Sequence, residues 1–159
     1  MRHSDQFYID GEWVTPSASA QIEVINPATE RSIGDIAMGN SEDVNSAVIA
    51  ARSAFDSFSQ SSKEERLNLL DRVISAYTER LDEIAETISK EMGAPMWLAK
   101  AAQAPAGMRH FSVTRKTLEA FQFEQDIGKS HILREPVGVC ALITPWNWPI
   151  NQIACKVAP

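Results

Sequence analysis

In the first part of the chain, apolar and polar positions come in short runs separated by turn formers. Phe7-Tyr8-Ile9 and Glu12-Trp13-Val14 flank Asp10-Gly11, a pair that accepts the positive φ angles of a tight hairpin turn. This predicts a β-hairpin. A second β region, Ile22 to Ile25 and Ser32 to Ile36, surrounds Asn26-Pro27-Ala28-Thr29. There Pro27 presets a turn and cannot donate to a ladder. At Ser41 the period becomes helical, with Val44, Ala47, Val48, Ala51, Phe55 and Phe58 on one stripe. The Ser41 hydroxyl is the expected cap, and Glu42 and Asp43 suit the positive end of the helix.

Ser62-Lys63-Glu64-Glu65 carries a capping box. An apolar stripe follows through Leu67, Leu70, Ile74, Tyr77, Leu81, Ile84, Ile88 and Met92 to Gly93. One helix of that length is unusual, so a break is expected near Arg80 to Asp82. Gly93 suits a helix C-terminus and Pro95 the start of another helix, running from Met96 to Ala120 with a kink near Pro105. Phe121 to Glu124 and His131 to Glu135 read as two strands around Asp126-Ile127-Gly128-Lys129, either an exposed β arm or a local surface hairpin. Val137 to Ile143 is apolar without alternation, as expected of a strand buried on both faces of a parallel sheet. Pro149 then opens a helix whose stripe includes Ile150, Ile153, Ala154 and Val157. A lone parallel strand is unstable, so further chain is expected to complete an α/β sheet.

At 159 residues, one domain or part of a larger one is expected. The net charge of -6 without clustered Lys or Arg argues against a nucleic-acid partner. No apolar run approaches the roughly 20 residues of a membrane span. Met1 to Gln6 is polar, unlike a secretory leader, so a cytoplasmic location away from membranes is expected. Cys140 and Cys155 form no disulfide framework, and His3, His110 and His131 are too scattered for a metal site.

Candidate chemistry gathers at Ile143-Thr144-Pro145-Trp146-Asn147-Trp148-Pro149, where a strand hands over to a helix. Ligands of open α/β sheets bind at that end of the strands. The two tryptophans offer flat apolar contact, and the Asn147 amide has two donor hydrogens for an oxygen developing negative charge. The same residues also suit an ordinary helix cap and core packing. With neither Gly-x-Gly-x-x-Gly nor a Gly-Lys-Ser/Thr loop, spacing alone does not identify a nucleotide site.

Glu135-Pro136-Val137-Gly138-Val139 followed by Ile143 to Pro149 resembles the signature of the NAD(P)-dependent aldehyde dehydrogenases. The likeness extends through Ile9-Asp10-Gly11-Glu12-Trp13, Val24-Ile25-Asn26-Pro27-Ala28-Thr29, Glu42-Asp43-Val44, Ala47-Val48, Ala50-Ala51-Arg52, Glu65-Arg66, Leu69-Leu70 and Glu91-Met92-Gly93. It implies an α/β, aldehyde dehydrogenase-like fold, of which this chain is the N-terminal part of a Rossmann-type cofactor domain. Residues 1–120 would supply hairpins and helices, and residues 121–135 a β arm reaching a neighbouring subunit. Residues 136–159 would be the first strand and helix of the nucleotide-binding sheet.

The resemblance further implies that Ile143, Thr144, Pro145 and Trp146 line the nicotinamide side of a cofactor cleft, and that Asn147 helps hold the oxyanion. In such enzymes a cysteine thiolate attacks an aldehyde, and the thiohemiacetal gives hydride to the nicotinamide. Water then hydrolyses the thioester to a carboxylic acid. NAD or NADP is the implied cofactor, with NAD favoured and no catalytic metal; the full-length form would be a homo-oligomer, dimer or tetramer. The family's nucleophilic cysteine, general-base glutamate and cofactor lysine belong to motifs beyond Pro159, so a truncated chain, inactive alone, is expected. Cys140 and Cys155 read as packing residues, and Lys156 takes no catalytic role. The alternatives are a non-catalytic product with a binding or assembly role, and part of an acylating or semialdehyde-specific relative.

Overall fold

The structure, a computed structural model, describes residues 3–159. β1 (Phe7–Ile9) and β2 (Glu12–Val14) form the first antiparallel hairpin. Asp10 and Gly11 turn it at φ 54° and 80°, as an Asp-Gly turn demands. β3 (Gln21–Asn26) pairs antiparallel with β4 (Arg31–Ala37), with a bulge between Val24 and Ile25. The Asn26 Oδ1 accepts the Ala28 N–H at 2.9 Å, closing the turn through Pro27.

α1 (Ser41–Phe58) is capped by Asn40, not by Ser41 as expected. Asn40 is extended, so its Oδ1 reaches forward to the Glu42 and Asp43 amides at 2.8 and 3.2 Å, while Ser41 is already helical. The Asp43 carboxylate returns the bond, accepting the Asn40 N–H at 3.0 Å and the Ser17 N–H at 2.8 Å. These amides, Ser17 foremost, hold the Asp43 carboxyl below its ordinary value. No residue of α1 is buried, and Val44, Val48 and Phe58 of its apolar stripe are exposed.

α2 (Lys63–Glu79) starts with the expected box. Glu65 N–H donates to Ser62 Oγ at 3.2 Å, and Ser62 N–H donates to Glu65 Oε2 at 2.7 Å. That return bond holds the Glu65 carboxyl below its usual value. The expected break falls on Arg80 alone, at φ -110°, before α3 (Leu81–Met92). Gly93 ends α3 at φ 76°, and a Cβ there would lie 2.6 Å from Pro27 Cγ. Conformation and contact thus both exclude a side chain. α4 (Met96–Leu98), a π turn (Ala99–Gln103) and α5 (Ala104–Ala120) follow without interruption. The expected irregularity near Pro105 takes the form of this wider turn. It ends two residues before Pro105, which cannot donate and whose ring crowds the preceding turn.

α6 (Pro149–Val157) packs on α5, and the core lies where α2, α3, α5 and α6 meet. One cluster joins Ala85, Ile88, Ala94, Ala99 and Ala104; the other joins Leu70, Phe111, Ala154 and Ala158. Alanine dominates the first, where helices approach closely, whereas Leu70 and Phe111 fill half of the second. The face of α6 differs from the expected stripe: Ala154 and Ala158 are buried and Ile150 packs against the first cluster, whereas Ile153 and Val157 are exposed. On the surface between α2 and α5, Arg115 donates to Asp71 at 2.9 and 3.2 Å and also pairs with Glu119. The two carboxylates raise the Arg115 pKa.

A hairpin stands where the arm is expected, shifted from its expected bounds. β5 (Glu124–Ile127) pairs antiparallel with β6 (Ser130–Leu133), so the turn tightens to Gly128-Lys129. Gly128 supplies the positive φ of 61°. The expected buried strand from Val137 to Ile143 is not formed. Gly138 sits at φ 106°, outside the extended region, Val137 is 91% exposed and Cys140 is exposed. The described residues form only three two-stranded hairpin sheets. A strand of the parallel kind needs neighbours to take its backbone bonds, and none stands beside it.

Gly107 marks a tight helix contact: a Cβ there would lie 2.4 Å from Tyr77 Oη and 2.9 Å from Ile150 Cγ1. The tyrosine cannot swing aside freely, because its hydroxyl donates to Ala104 O at 2.6 Å. Gly107→Ala is expected to lower stability by about 1–3 kcal/mol, read by denaturant unfolding. The capping carboxyls predict a pH dependence. Asp43 and Glu65 titrate lower in the folded chain than in the unfolded one. Their stabilisation is therefore complete at neutral pH and is lost as pH falls through the lowered folded values. Thermal melting should hold steady from about pH 7 to 5 and fall in stronger acid. Glu65→Gln should shrink that acid loss; an unchanged acid slope would contradict the assignment.

Candidate functional site

Residues 144–148 form an irregular segment that ends at Trp148, the residue preceding α6. Pro149 occupies the first helical position, where its missing N–H costs nothing. Trp148, at φ -142° and ψ 67°, holds the capping position without any side-chain capping bond. Asn147 is thus one residue too early to cap the helix, and its exposed side chain makes no hydrogen bond to another described residue. The plain capping role open to it in the sequence is not the one it takes. Its two amide donors remain uncommitted.

The other expected site residues lie beside it in the chain. Ile143, Thr144, Pro145 and Trp146 are all exposed, Ile143 by 86% and Trp146 by 78%. They form an apolar approach to the start of α6, whose first turn carries no acidic residue. Free amides at a helix start favour an anion, and exposed flat side chains favour a ring system. The set therefore fits an anionic, ring-bearing cofactor. Among the described residues, no group of three His, Cys, Asp or Glu is placed to hold a metal ion.

The helix that presents this segment is fixed from α5. Ala154 is wholly buried in the second cluster, Gly107 makes room for Ile150, and His110 Nε2 lies 2.8 Å from Asn151 Oδ1. This last contact was not visible in the sequence, where His110 stands 41 residues away with no motif around it. Cys155 Sγ lies 3.4 Å from Gln152 O, and Lys156 Nζ donates to Gln152 O at 3.1 Å. Both thus bond within their own helix. Cys140 Sγ lies 3.7 Å from Gly138 O. An open surface groove lies elsewhere, between the end of α1 and α2, lined by Phe58, Glu65, Leu69 and Arg72 among others. No helix among the described residues is long and apolar enough to cross a membrane.

The family model described as "Aldehyde dehydrogenase family" matches residues 13–159. The chain is 54% identical to a 3-succinoylsemialdehyde-pyridine dehydrogenase of a Pseudomonas species, covering all of this chain and 34% of that protein. It superposes with a TM-score of 0.96 at 45% identity on aldehyde dehydrogenase C of Pseudomonas syringae, a variant complexed with NAD+ and octanal, covering 99% of this chain and 33% of that one. A Mycobacterium tuberculosis aldehyde dehydrogenase complexed with NAD+ matches at 30% identity and TM-score 0.90, over 97% of this chain and 33% of that one. The chain thus spans about a third of the length of the relatives it matches. The hairpins, helical middle and arm are those of the amino-terminal part of that fold. From the match across residues 13–159 and these likenesses, the chain belongs to the aldehyde dehydrogenase family.

Proposed function

We propose that residues 1–159 build the amino-terminal part of the cofactor domain of an enzyme that oxidises an aldehyde to a carboxylic acid with NAD or NADP. The observation that carries this reading is Asn147, whose uncommitted amide stands exposed at the head of a firmly seated helix. In this reading Asn147 donates to the aldehyde oxygen as the carbon becomes tetrahedral, when negative charge collects there. Ile143, Thr144, Pro145 and Trp146 orient the cofactor and keep water from its reactive face. A bound nicotinamide dinucleotide supplies the hydride acceptor. NAD is favoured, since the Pseudomonas syringae and Mycobacterium tuberculosis enzymes are complexed with it.

Residues 137–143 take up their strand once neighbouring strands accept their backbone bonds, and residues 121–135 serve as the arm joining a homo-oligomer. Neither Cys140 nor Cys155 is the nucleophile here: Cys140 lies in an irregular exposed segment, and Cys155 is bonded within α6. The 54% identical relative supports a second reading of the substrate, an aldehyde carried on a larger ketone-bearing or pyridine-bearing molecule.

In an active enzyme containing these residues, Asn147→Ala should lower kcat roughly 10²–10³-fold, with the KM for NAD+ nearly unchanged. A variant with wild-type kcat would overturn the oxyanion role. A purified chain ending at Pro159 should give no aldehyde-dependent rise in NADH absorbance. Turnover by such a sample, shown by mass to be free of longer protein, would overturn the exclusion of Cys140 and Cys155.

A further inference from the structure

We propose that His110 is a positioning residue for Asn147, acting through Asn151; the inference rests on the oxyanion role given to Asn147 above. Asn151 lies in the first part of α6, four residues after Asn147, about one helical turn along. Its Oδ1 can only accept, so the imidazole of His110 donates Nε2–H across the 2.8 Å separation. Both side chains are half-buried, which shields the bond from competing water.

A second contact lies on the same face of α5. Gly107 precedes His110 by three residues, and three-residue spacing places two positions side by side on a helix. The space left by its missing side chain receives Ile150, whose Cγ1 would lie 2.9 Å from a Cβ at Gly107. Ile150 and Asn151 are adjacent, so the start of α6 meets an apolar stop and a polar tie from one turn of α5. The loop before it has no comparable restraint. Trp148 makes no side-chain cap, and Asn147 and Trp146 are exposed. The direction in which Asn147 presents its amide is therefore set by how α6 is seated, and His110 fixes that seat. An oxyanion donor needs placement to within about half an ångström, so loosening the tie should weaken catalysis without removing any group from the reaction.

The test is made in the active enzyme containing these residues, with Asn147→Ala, His110→Ala, His110→Gln and the double variant H110A/N147A. Thermal melting is measured on each. His110→Ala should lower kcat about five- to tenfold, leaving the KM for NAD+ within about twofold. His110→Gln, whose amide can donate to the same oxygen, should restore most of the loss. In the double variant, kcat should match that of N147A alone, while the melting temperature falls as in H110A. A merely structural histidine would lower kcat by the same factor in both backgrounds, and that result overturns the proposal. So does a His110→Gln variant as impaired as His110→Ala. If Asn147→Ala is impaired and His110→Ala is not, the positioning role alone fails; if Asn147→Ala is unimpaired, the oxyanion role fails with it. Should His110→Ala not fold, Asn151→Ala removes the acceptor instead and carries the same comparison.

Discussion

Where α5 packs on α6, the bare backbone of Gly107 leaves room for Ile150 on one side and the Tyr77 hydroxyl on the other, with no space for a side chain between. That contact sets the spacing of α2, α5 and α6 together, since Tyr77 belongs to α2. Ala104, Ala106 and Ala154, buried nearby, suit the same close approach of helices. This crowded point and the His110–Asn151 contact beside it together seat α6, and hence the segment ahead of it.

Polar contacts are fitted around it without loosening it. Tyr77 donates to Ala104 O at 2.6 Å, and burial pushes its phenol up to about 12, so it stays a neutral donor at any physiological pH. Ala104 is the first residue of α5 after the π turn, which widens the helix just before Pro105. The irregularity in the chain and the hydrogen bond that uses it are therefore neighbours. Farther from this point the structure is held less firmly. α1 is tied by its cap and by Ser17, yet its apolar stripe stands exposed. Residues 137–143 are apolar and unpaired. In both, apolar side chains stand exposed among the described residues.

The local elements were legible because local physics governs them. Asp10-Gly11 and Ser62 to Glu65 each carry their own turn or cap within four residues, and both are as read. The Arg80 break followed from a stripe too long for one helix. Errors were of two kinds. Asn40 displaced Ser41 as the cap because its extended backbone lets its side-chain carbonyl accept from the Glu42 and Asp43 amides, a choice of register that periodicity does not resolve. The strand at 137–143 was read from apolarity alone, which records what a segment is suited to and not whether partners are present.

The sequence by itself determined the hairpins, the helix starts and stops, and the family, since each depends on residues a few positions apart or on motifs read in order. It also picked out Asn147 by its chemistry. Only the tertiary structure decided that Asn147 is not a cap, that Ile153 and Val157 of the expected α6 stripe stay exposed while Ile150 and Ala154 pack inward, and that His110 meets Asn151. Those outcomes depend on how two helices lie against each other, and packing between elements far apart in the chain leaves no periodic trace in either one.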